Sequence, residues 1–196
     1  MRKQLERARA DRRYVTIRRR KGWAEVDGFV AAVGPTWFVV VCVTDAAFEG
    51  FAILRIKDVR RVRRLGGRVL AKRALKHDGL WPPSVPELLD LDSARRVAFS
   101  AGSLCRVLSL SMEGRRPGVF FVGNIDRITR RRITAWEIGT RARWRGNLSV
   151  PLEQLSRVVL WDPYVEKITA IADAHEGNLW AADQRRGSSG PSKRVS

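Results

Sequence analysis

Arginine is the residue type in this sequence with the clearest capacity for chemistry. The segment "RIKDVRRVRR", residues 55–64, carries five arginines and one lysine around the apolar residues Ile56, Val59 and Val62. A guanidinium group donates several hydrogen bonds in one plane and matches the oxygens of a phosphate, so such a cluster can bind a nucleic-acid backbone. The candidate binding residues of this segment are Arg60, Arg61, Arg63 and Arg64.

Two further arginine-rich segments follow, "RITRRRITAW" at residues 127–136 and "TRARWRGN" at residues 140–147. Arginines that contact phosphates, beside an aromatic ring that stacks on a base, are typical of single-stranded RNA binding. Alternatively, Trp23 and Trp144 cap the fold and arginines lie across their rings. The candidate residues here are Arg127, Arg130, Arg131, Arg132, Arg141, Arg143, Trp144 and Arg145.

The overall charge also favours a polyanionic partner. The 196 residues include 38 Lys and Arg against 20 Asp and Glu, which gives a formal net charge of +18. Such an excess attracts polyanions over much of the surface. A bias of codon usage would explain why arginine replaces lysine, but it would not explain the excess of bases over acids. The charge therefore indicates association with a polyanion without specifying its identity.

Residues suited to catalysis or metal binding are scarce. The two histidines, His77 and His175, lie in connecting or terminal segments, and no phosphate-binding glycine motif is present. Cys42 and Cys105 lie far apart in apolar segments and form no CxxC motif, so we expect both to be buried as small hydrophobic residues. The sequence predicts a protein that is not an enzyme and that has no cofactor and no metal site.

No segment is suited to a membrane or to secretion. The longest apolar run, "FVVVCV" at residues 38–43, is far shorter than the ~20 residues that a spanning helix needs. The first residues, "MRKQLERARADRR", are charged and lack the apolar centre of a signal peptide. We therefore expect a cytoplasmic protein without a membrane partner.

The elements that position the arginines are predicted from an internal repeat. When Gly28 is aligned with Gly123, apolar positions agree along the following residues, and one further residue is needed in a later loop. The aligned pairs are Val30 with Ile125, Val33 with Ile128, Phe38 with Ile133, Ile56 with Leu152, Val59 with Leu155, Arg61 with Arg157 and Val62 with Val158. Because an arginine recurs at positions 61 and 157, we expect it to support the fold in both copies.

Each copy is predicted to contain five short strands that form a small, curved barrel. A glycine inside the second strand indicates a bend or bulge at Gly28. In the first copy, Ile56, Val59 and Val62 are expected to point inward, with the arginines between them pointing outward. The fold class is therefore mainly β with flanking helices, as two tandem five-stranded small barrels.

The domain organisation follows from the repeat. Residues 1–70 are predicted to form a basic N-terminal helix and the first barrel, and residues 71–85, which contain "WPPSVP", a linker. Residues 86–176 are predicted to form a helix that starts near Pro86, the second barrel and a C-terminal helix from Tyr164. Residues 177–196 are predicted to be a disordered basic tail.

A leading helix, five strands and a glycine in a bent second strand make the chain resemble the Sm-like (LSm/Hfq-type) proteins. The segments "DGFV", "GPTWFVVVCVTD" and "LSRVVLWDPYVEKI" are similar to tandem Sm-like, or SH3-like, barrels of bacterial, actinobacterial type. The family's uridine-binding residues do not carry over, because its Arg-Gly pair is replaced by Lys57-Asp58 and by Glu153-Gln154. Its Asp position falls near Gly34 and Thr129.

The resulting prediction is a non-catalytic protein that binds RNA or a ribonucleoprotein through arginine-rich surfaces of Sm-like barrels. The alternative is a protein-interaction or assembly module whose basic charge is incidental and which has no nucleic-acid ligand. Free edge strands of such barrels pair with further strands. We therefore expect either a homo-oligomer through the barrel edges, as a closed trimer, or a capped monomer.

Overall fold

Strands dominate the part of the chain that the structure describes. The computed structural model describes residues 1–44, 47–66 and 69–176, with the side chains of residues 175 and 176 left out. The strands are β1 (Tyr14–Arg18), β2 (Val26–Val33), β3 (Trp37–Thr44), β4 (Ala47–Arg55), β5 (Arg61–Arg64), β6 (Leu108–Ser111), β7 (Phe120–Ile128), β8 (Arg132–Ile138), β9 (Trp144–Pro151) and β10 (Arg157–Leu160). The helices are α1 (Arg2–Ala10), α2 (Val69–His77), α3 (Ala94–Leu104) and α4 (Pro163–Glu176). A 3₁₀ turn, Ile56–Asp58, precedes β5.

All ten strands join one open antiparallel sheet in the order β5-β1-β2-β3-β4-β10-β6-β7-β8-β9. This confirms the predicted mainly β class with flanking helices. Two separate closed barrels are not confirmed, because β10 pairs with β4 as well as with β6, and the sheet does not close. The short segment "RVVL" of β10 is apolar enough to lie between two strands, and this position connects the two halves of the sheet.

Each half of the sheet has the same internal strand order. The first half reads β5-β1-β2-β3-β4 and the second reads β10-β6-β7-β8-β9. The register agrees as well: Gly28 lies opposite Val15, and Gly123 lies opposite Leu108. Further equivalent pairs are Trp37 with Arg55, Arg132 with Pro151, Phe38 with Leu54 and Ile133 with Val150. Residues that the sequence alignment matches therefore occupy matching places in the sheet.

The glycine shared by the two halves is required by the close approach of the next strand. A Cβ atom on Gly28 would lie 2.1 Å from the carbonyl oxygen of Val41, and one on Gly123 would lie 2.2 Å from that of Trp136. Gly28 also has a φ angle of +154°, which side chains disfavour. A register shift follows shortly after each glycine, in β2 and in β7, as expected of a bent second strand.

The central strands of the first half are buried on both faces. One face packs under α1, where Leu5 and Ala8 are buried, and the other packs against α2 through Ala71 and Leu75. Such burial explains the continuous apolar run of β3. Helix α2 begins just before the predicted linker, residues 71–85, and occupies its first part. The prediction missed it because its apolar stripe is short and its partner face is formed only by the folded sheet.

The later helices differ in their bounds from the prediction. Helix α3 begins at Ala94 and not near Pro86, because the Ser93 hydroxyl accepts a hydrogen bond from the Arg96 amide at 3.3 Å and caps the helix there. Helix α4 packs on the second half through Val165, Ile168 and Ala172. The predicted disordered tail, residues 177–196, lies outside the described residues.

Candidate nucleic-acid interface

The arginines of the first segment are exposed on a strand whose apolar residues face inward. Val59 is buried, while Ile56 and Val62 are half-buried against the core beneath α1, as expected. The arginines of the segment are all exposed: Arg60, Arg61, Arg63 and Arg64. None of these four forms an ion pair with another described residue. Their guanidinium groups are therefore available to an external anion.

Among the described strands, β5 pairs with β1 alone and forms one edge of the sheet. Arg61 lies opposite Arg18, and Arg63 lies opposite Thr16. The side chains of Arg61 and Arg63 are two residues apart and therefore project from the same face of the sheet. The charge of Arg18 is compensated by Glu25 at 2.6 Å. Within the described part of the chain, the outer side of β5 therefore combines backbone groups that pair with no strand and guanidinium groups that form no ion pair.

A second group of arginines lies at the tip between β7 and β8. Arg132 is held on the sheet, since its Nε donates to the Ser149 hydroxyl at 2.7 Å. The turn is closed by Thr129, whose hydroxyl accepts hydrogen bonds from the amides of Arg131 and Arg132. Arg127, Arg130 and Arg131 are exposed and form no ion pair with the described residues. The tip thus has a fixed backbone and cations that reach outward.

A third group lies at the connection between β8 and β9. Arg141, Arg143 and Arg145 are all exposed. Arg145 lies across the hairpin, because a Cβ atom on Gly139 would lie only 2.4 Å from its Nε. Its register partner on β8 is Glu137, which is opposite in charge. Arg145 is therefore less free than the two arginines before it.

The tryptophans are occupied within the protein. Trp144 is half-buried, and its indole N–H donates to Asp173 of α4 at 3.0 Å, while Arg106 lies 5.9 Å from its ring centre. Trp23 is buried, and the guanidinium carbons of Arg19 and Arg20 each lie 5.5 Å from its ring. This is the geometry of the alternative in which the tryptophans cap the fold under arginines. The predicted nucleic-acid-binding role of Trp144 stays a prediction.

The three arginine groups are not brought together. Strand β5 is one edge of the sheet, whereas β8 and β9 lie at the other. The second and third groups adjoin opposite ends of β8, Arg132–Ile138, which at ~3.3 Å per residue are about 20 Å apart. The structure therefore presents three separate basic regions and not one continuous patch.

The turn at Lys57-Asp58 contacts both halves of the sheet. Asp58 is fully buried, with Arg55 Nε 2.7 Å from one carboxylate oxygen and Arg20 3.2 Å from the other. The same Arg55 donates through Nη1 to the carbonyl oxygen of Glu153 at 2.7 Å. The side chain of Asp58 is thus committed to internal partners, and the pair Lys57-Asp58 has a structural position.

A buried ion pair that the sequence did not reveal also joins the halves. Arg19, from the first half, forms a two-point pair with Glu113 of the second half, and the Arg19 side chain is 0% exposed. The Ser156 hydroxyl lies 3.0 Å from a Glu113 carboxylate oxygen, and it accepts a hydrogen bond from the Glu113 amide. Arg19 stands in a run of basic residues and Glu113 in a loop, so no pattern in the sequence distinguishes either residue.

The recurring arginine has different surroundings in the two halves. Arg61 is exposed on β5, and its predicted structural role stays a prediction. Arg157 is half-buried, and burial lowers the pKa of its guanidinium. The neighbouring Cys42 is also affected, because burial raises the pKa of its thiol to about 11. A thiol of this kind is mostly protonated near neutral pH and is a poor nucleophile.

Groups suited to catalysis remain sparse in the part of the chain that the structure describes. No set of three or more His, Cys, Asp or Glu residues could hold a metal ion there. The Nδ1 atom of the exposed His77 lies 3.1 Å from a carboxylate oxygen of Asp78, its neighbour in sequence. The side chain of His175 is outside the described residues. The absence of an enzymatic activity therefore stays a prediction.

The fold and the three basic regions define the described part of the chain as a ten-stranded antiparallel β protein with an arginine-rich sheet edge. Comparison with known proteins gives no match among family models, curated proteins or solved structures. Among the described residues, no helix has the length and apolar character needed to cross a membrane.

Proposed function

We propose that this chain is a non-catalytic protein that binds single-stranded RNA, alone or in a ribonucleoprotein, through exposed arginines. The observation that carries the proposal is the clustering of exposed arginines that form no ion pair with the described residues. Several arginines elsewhere do have acidic partners, such as Arg18 with Glu25 and Arg96 with Asp90 and Asp92. The arginines of β5 and Arg130 and Arg131 have none among the described residues.

We further propose that the two halves are tandem Sm-like units. The shared strand order, the matching register and the glycine at the same bend support this relation. The family's Arg-Gly pair is replaced by Lys57-Asp58 and by Glu153-Gln154, so its uridine-binding residues do not carry over. RNA would therefore bind through the phosphate backbone at the basic regions and not in the family's usual manner.

Copurification tests the proposal most directly. The tagged protein is isolated from its host with and without nuclease, and the bound nucleic acid is extracted and sized. We expect RNA to be recovered in the untreated sample and to disappear after ribonuclease treatment. If the protein is free of RNA and also shows no salt-dependent binding of single-stranded oligonucleotides, the proposal is wrong.

An assembly module is the second candidate, and the two free sheet edges favour it. Within the chain, β10 pairs with β4; by the repeat, β5 corresponds to β10 and β9 corresponds to β4. Strand β5 of one copy would therefore pair with β9 of the next and continue the sheet. Light scattering distinguishes the outcomes, since a closed trimer has three times the 22.2 kDa chain mass and a capped monomer has that mass.

A further inference from the structure

A groove of about 880 Å³ lies between α3 and β7 in the second half of the molecule. Its volume falls within the roughly 300–1,000 Å³ of small-molecule sites. Its lining includes Leu88, Arg95, Phe99, Gly102, Ile125 and Arg127. The groove is separate from the three basic regions except at Arg127, which belongs to both.

The groove exists because α3 has smaller side chains than α1 at equivalent positions. Val15 and Leu108 lie opposite the equivalent glycines Gly28 and Gly123, and counting back equally from these two residues matches Leu5 with Ala98 and Arg9 with Gly102. Leu5 is fully buried against the sheet, whereas Ala98 and Gly102 fill much less of the same space. The floor residue Ile125 is only half-buried as a result.

The groove combines an open aromatic ring with unpaired cations. Phe99 is 68% exposed and Leu88 is 72% exposed, so both present apolar surface to solvent beside the groove. Arg95 and Arg127, one on α3 and one on β7, are exposed and form no ion pair with the described residues. An apolar ring next to two free guanidinium groups suits a ligand that has a flat ring and an anionic chain.

The acidic residues of the lining restrict where the anionic part of a ligand can lie. The carboxylate of Asp90 is occupied by Arg96, whose Nη1 lies 2.9 Å away. Asp126 is exposed at the bulge of β7 and also lines the groove. Its oxygens accept hydrogen bonds only, so they suit the N–H groups of a base and disfavour a phosphate at the same point.

We propose that this groove binds one unstacked base of a single-stranded RNA. The base lies against Phe99, and the adjoining phosphates contact Arg95 and Arg127. The inference rests on the proposed RNA-binding function and gives it a specific subsite. Because Arg127 precedes Arg130 and Arg131 on the same hairpin, a strand that leaves the groove along β7 reaches the arginines of the tip.

The charge of the groove favours RNA over an apolar peptide as the occupant. Both free cations of the lining lie beside the exposed ring, and the whole chain has a formal charge of +18. A polyanion gains from these charges, whereas an apolar peptide leaves both guanidinium groups without a partner. Every type of base has a flat face, so stacking on Phe99 requires no particular sequence.

Titration of a fluorescent oligoadenylate against wild type, Phe99→Ala and Gly102→Leu tests the inference. Loss of the ring is expected to weaken binding by about 5- to 150-fold, because stacking on one aromatic residue contributes that factor. The salt dependence should stay unchanged, since every arginine is retained. Gly102→Leu fills the groove without removing a charge, and the added Cβ would meet Ile125 at an ordinary 3.4 Å.

Phe120→Ala is the matched control, because Phe120 is 49% exposed and lies outside the groove lining. Its affinity should equal that of wild type, and ultraviolet crosslinking with mass spectrometry should place the RNA on the peptide that contains Phe99. If Gly102→Leu does not fold, Phe99→Ala carries the test.

Two negative outcomes are distinguishable. Unchanged binding by Phe99→Ala, together with weaker binding after loss of the hairpin arginines, would overturn the groove site and leave the proposed function intact. Equal losses in Phe99→Ala and Phe120→Ala would also overturn it, because a general effect of exposed rings would explain both. A wild-type protein that binds no oligonucleotide would remove the proposed function and the groove site together.

Discussion

Strands β5 and β10 occupy equivalent positions in the two halves, but β5 lies at an edge of the sheet and β10 lies in its interior. Each is the last strand of its half, begins with an arginine and pairs with the first strand of that half. Strand β10 also pairs with β4, and its Leu160 is fully buried. Strand β5 ends the sheet, and Arg64, at the place that corresponds to Leu160, is exposed.

The difference shows that charge in this fold follows position in the sheet. An edge strand presents unpaired backbone groups, and charged side chains there discourage uncontrolled pairing with other chains. The buried positions of an interior strand exclude such charge, because an unpaired buried cation is strongly destabilising, and Arg157, the arginine of β10, is only half-buried. "RVRR" and "RVVL" are therefore suited to their places, and the arginines of β5 are compatible both with a protected edge and with a polyanion site.

The largest expected effect comes from giving β10 the charge of β5. Leu160→Arg would bury a cation between β4 and β6 without an acidic partner, and we expect it to lower the free energy of unfolding by about 4 kcal/mol or more. Chemical denaturation followed by circular dichroism measures the change. The reverse substitution, Arg64→Leu, is the control and should change stability by no more than about 0.5 kcal/mol. Similar losses in both variants would contradict the assigned difference between edge and interior.

The second effect concerns the buried ion pair between Arg19 and Glu113, which connects the two halves. Glu113→Gln removes the charge that compensates Arg19, and we expect a loss of about 3 kcal/mol in the free energy of unfolding. Glu6→Gln breaks the exposed pair with Arg2, in which the side chains are 55% and 47% exposed for Arg2 and Glu6, and is expected to cost about 0–1 kcal/mol. Thermal and urea unfolding of the two variants side by side would show the contrast. An equally small effect for Glu113 would mean that the buried ion pair contributes little.

The third effect separates binding from stability at the β7–β8 tip. Replacing Arg130, Arg131 and Arg132 together with Gln should weaken single-stranded RNA binding and flatten the log–log salt slope by about two units, at ~0.7 for each phosphate contact. Thermal stability should change little, because exposed charges contribute about 0–1 kcal/mol each. Fluorescence anisotropy over a range of salt concentrations measures the slope. Unchanged affinity and slope would favour the assembly module over RNA binding.

The smallest expected effect concerns the arginine that recurs at positions 61 and 157. Arg61→Gln should leave stability within about 0.5 kcal/mol of wild type, because the residue is exposed and makes no ion pair with the described residues. If β5 contacts RNA, the salt slope should flatten by about 0.7. Arg157→Gln is the matched variant at the half-buried position, and any stability change should be larger there. A larger loss for Arg61 would support the structural role that the sequence suggested.

Much of the fold could be predicted from local pattern. Residues matched by the alignment lie at matching register positions of the two halves, because side chains that face a core recur with the strand period. The bend of the second strand was predicted from its glycine. A glycine is required there because the neighbouring backbone approaches too closely for a side chain. The short helix α2 and the start of α3 were missed, since a partner face and a single serine cap decided them.

The candidate site was predictable in its residues and not in its arrangement. The exposed arginines could be named from composition, but their separation into three regions depends on which strands form the edges of the sheet. The half-buried indole of Trp144 donates a hydrogen bond to Asp173, which lies on α4, 29 residues further along the chain. The groove beside Phe99 arises from what α3 lacks relative to α1, and such a space becomes visible only when the two helices are packed.

The sequence by itself determined the strand pattern, the bend at each glycine, the inward apolar residues and the basic surface. These features depend on residues close together in the chain and on their alternation between two faces. Only the tertiary structure decided that β4 pairs with β10, that Arg19 meets Glu113 and that β5 remains free. Backbone hydrogen-bonding groups are the same on every strand, so the choice of partner depends on the energy of the whole sheet and not on any single segment.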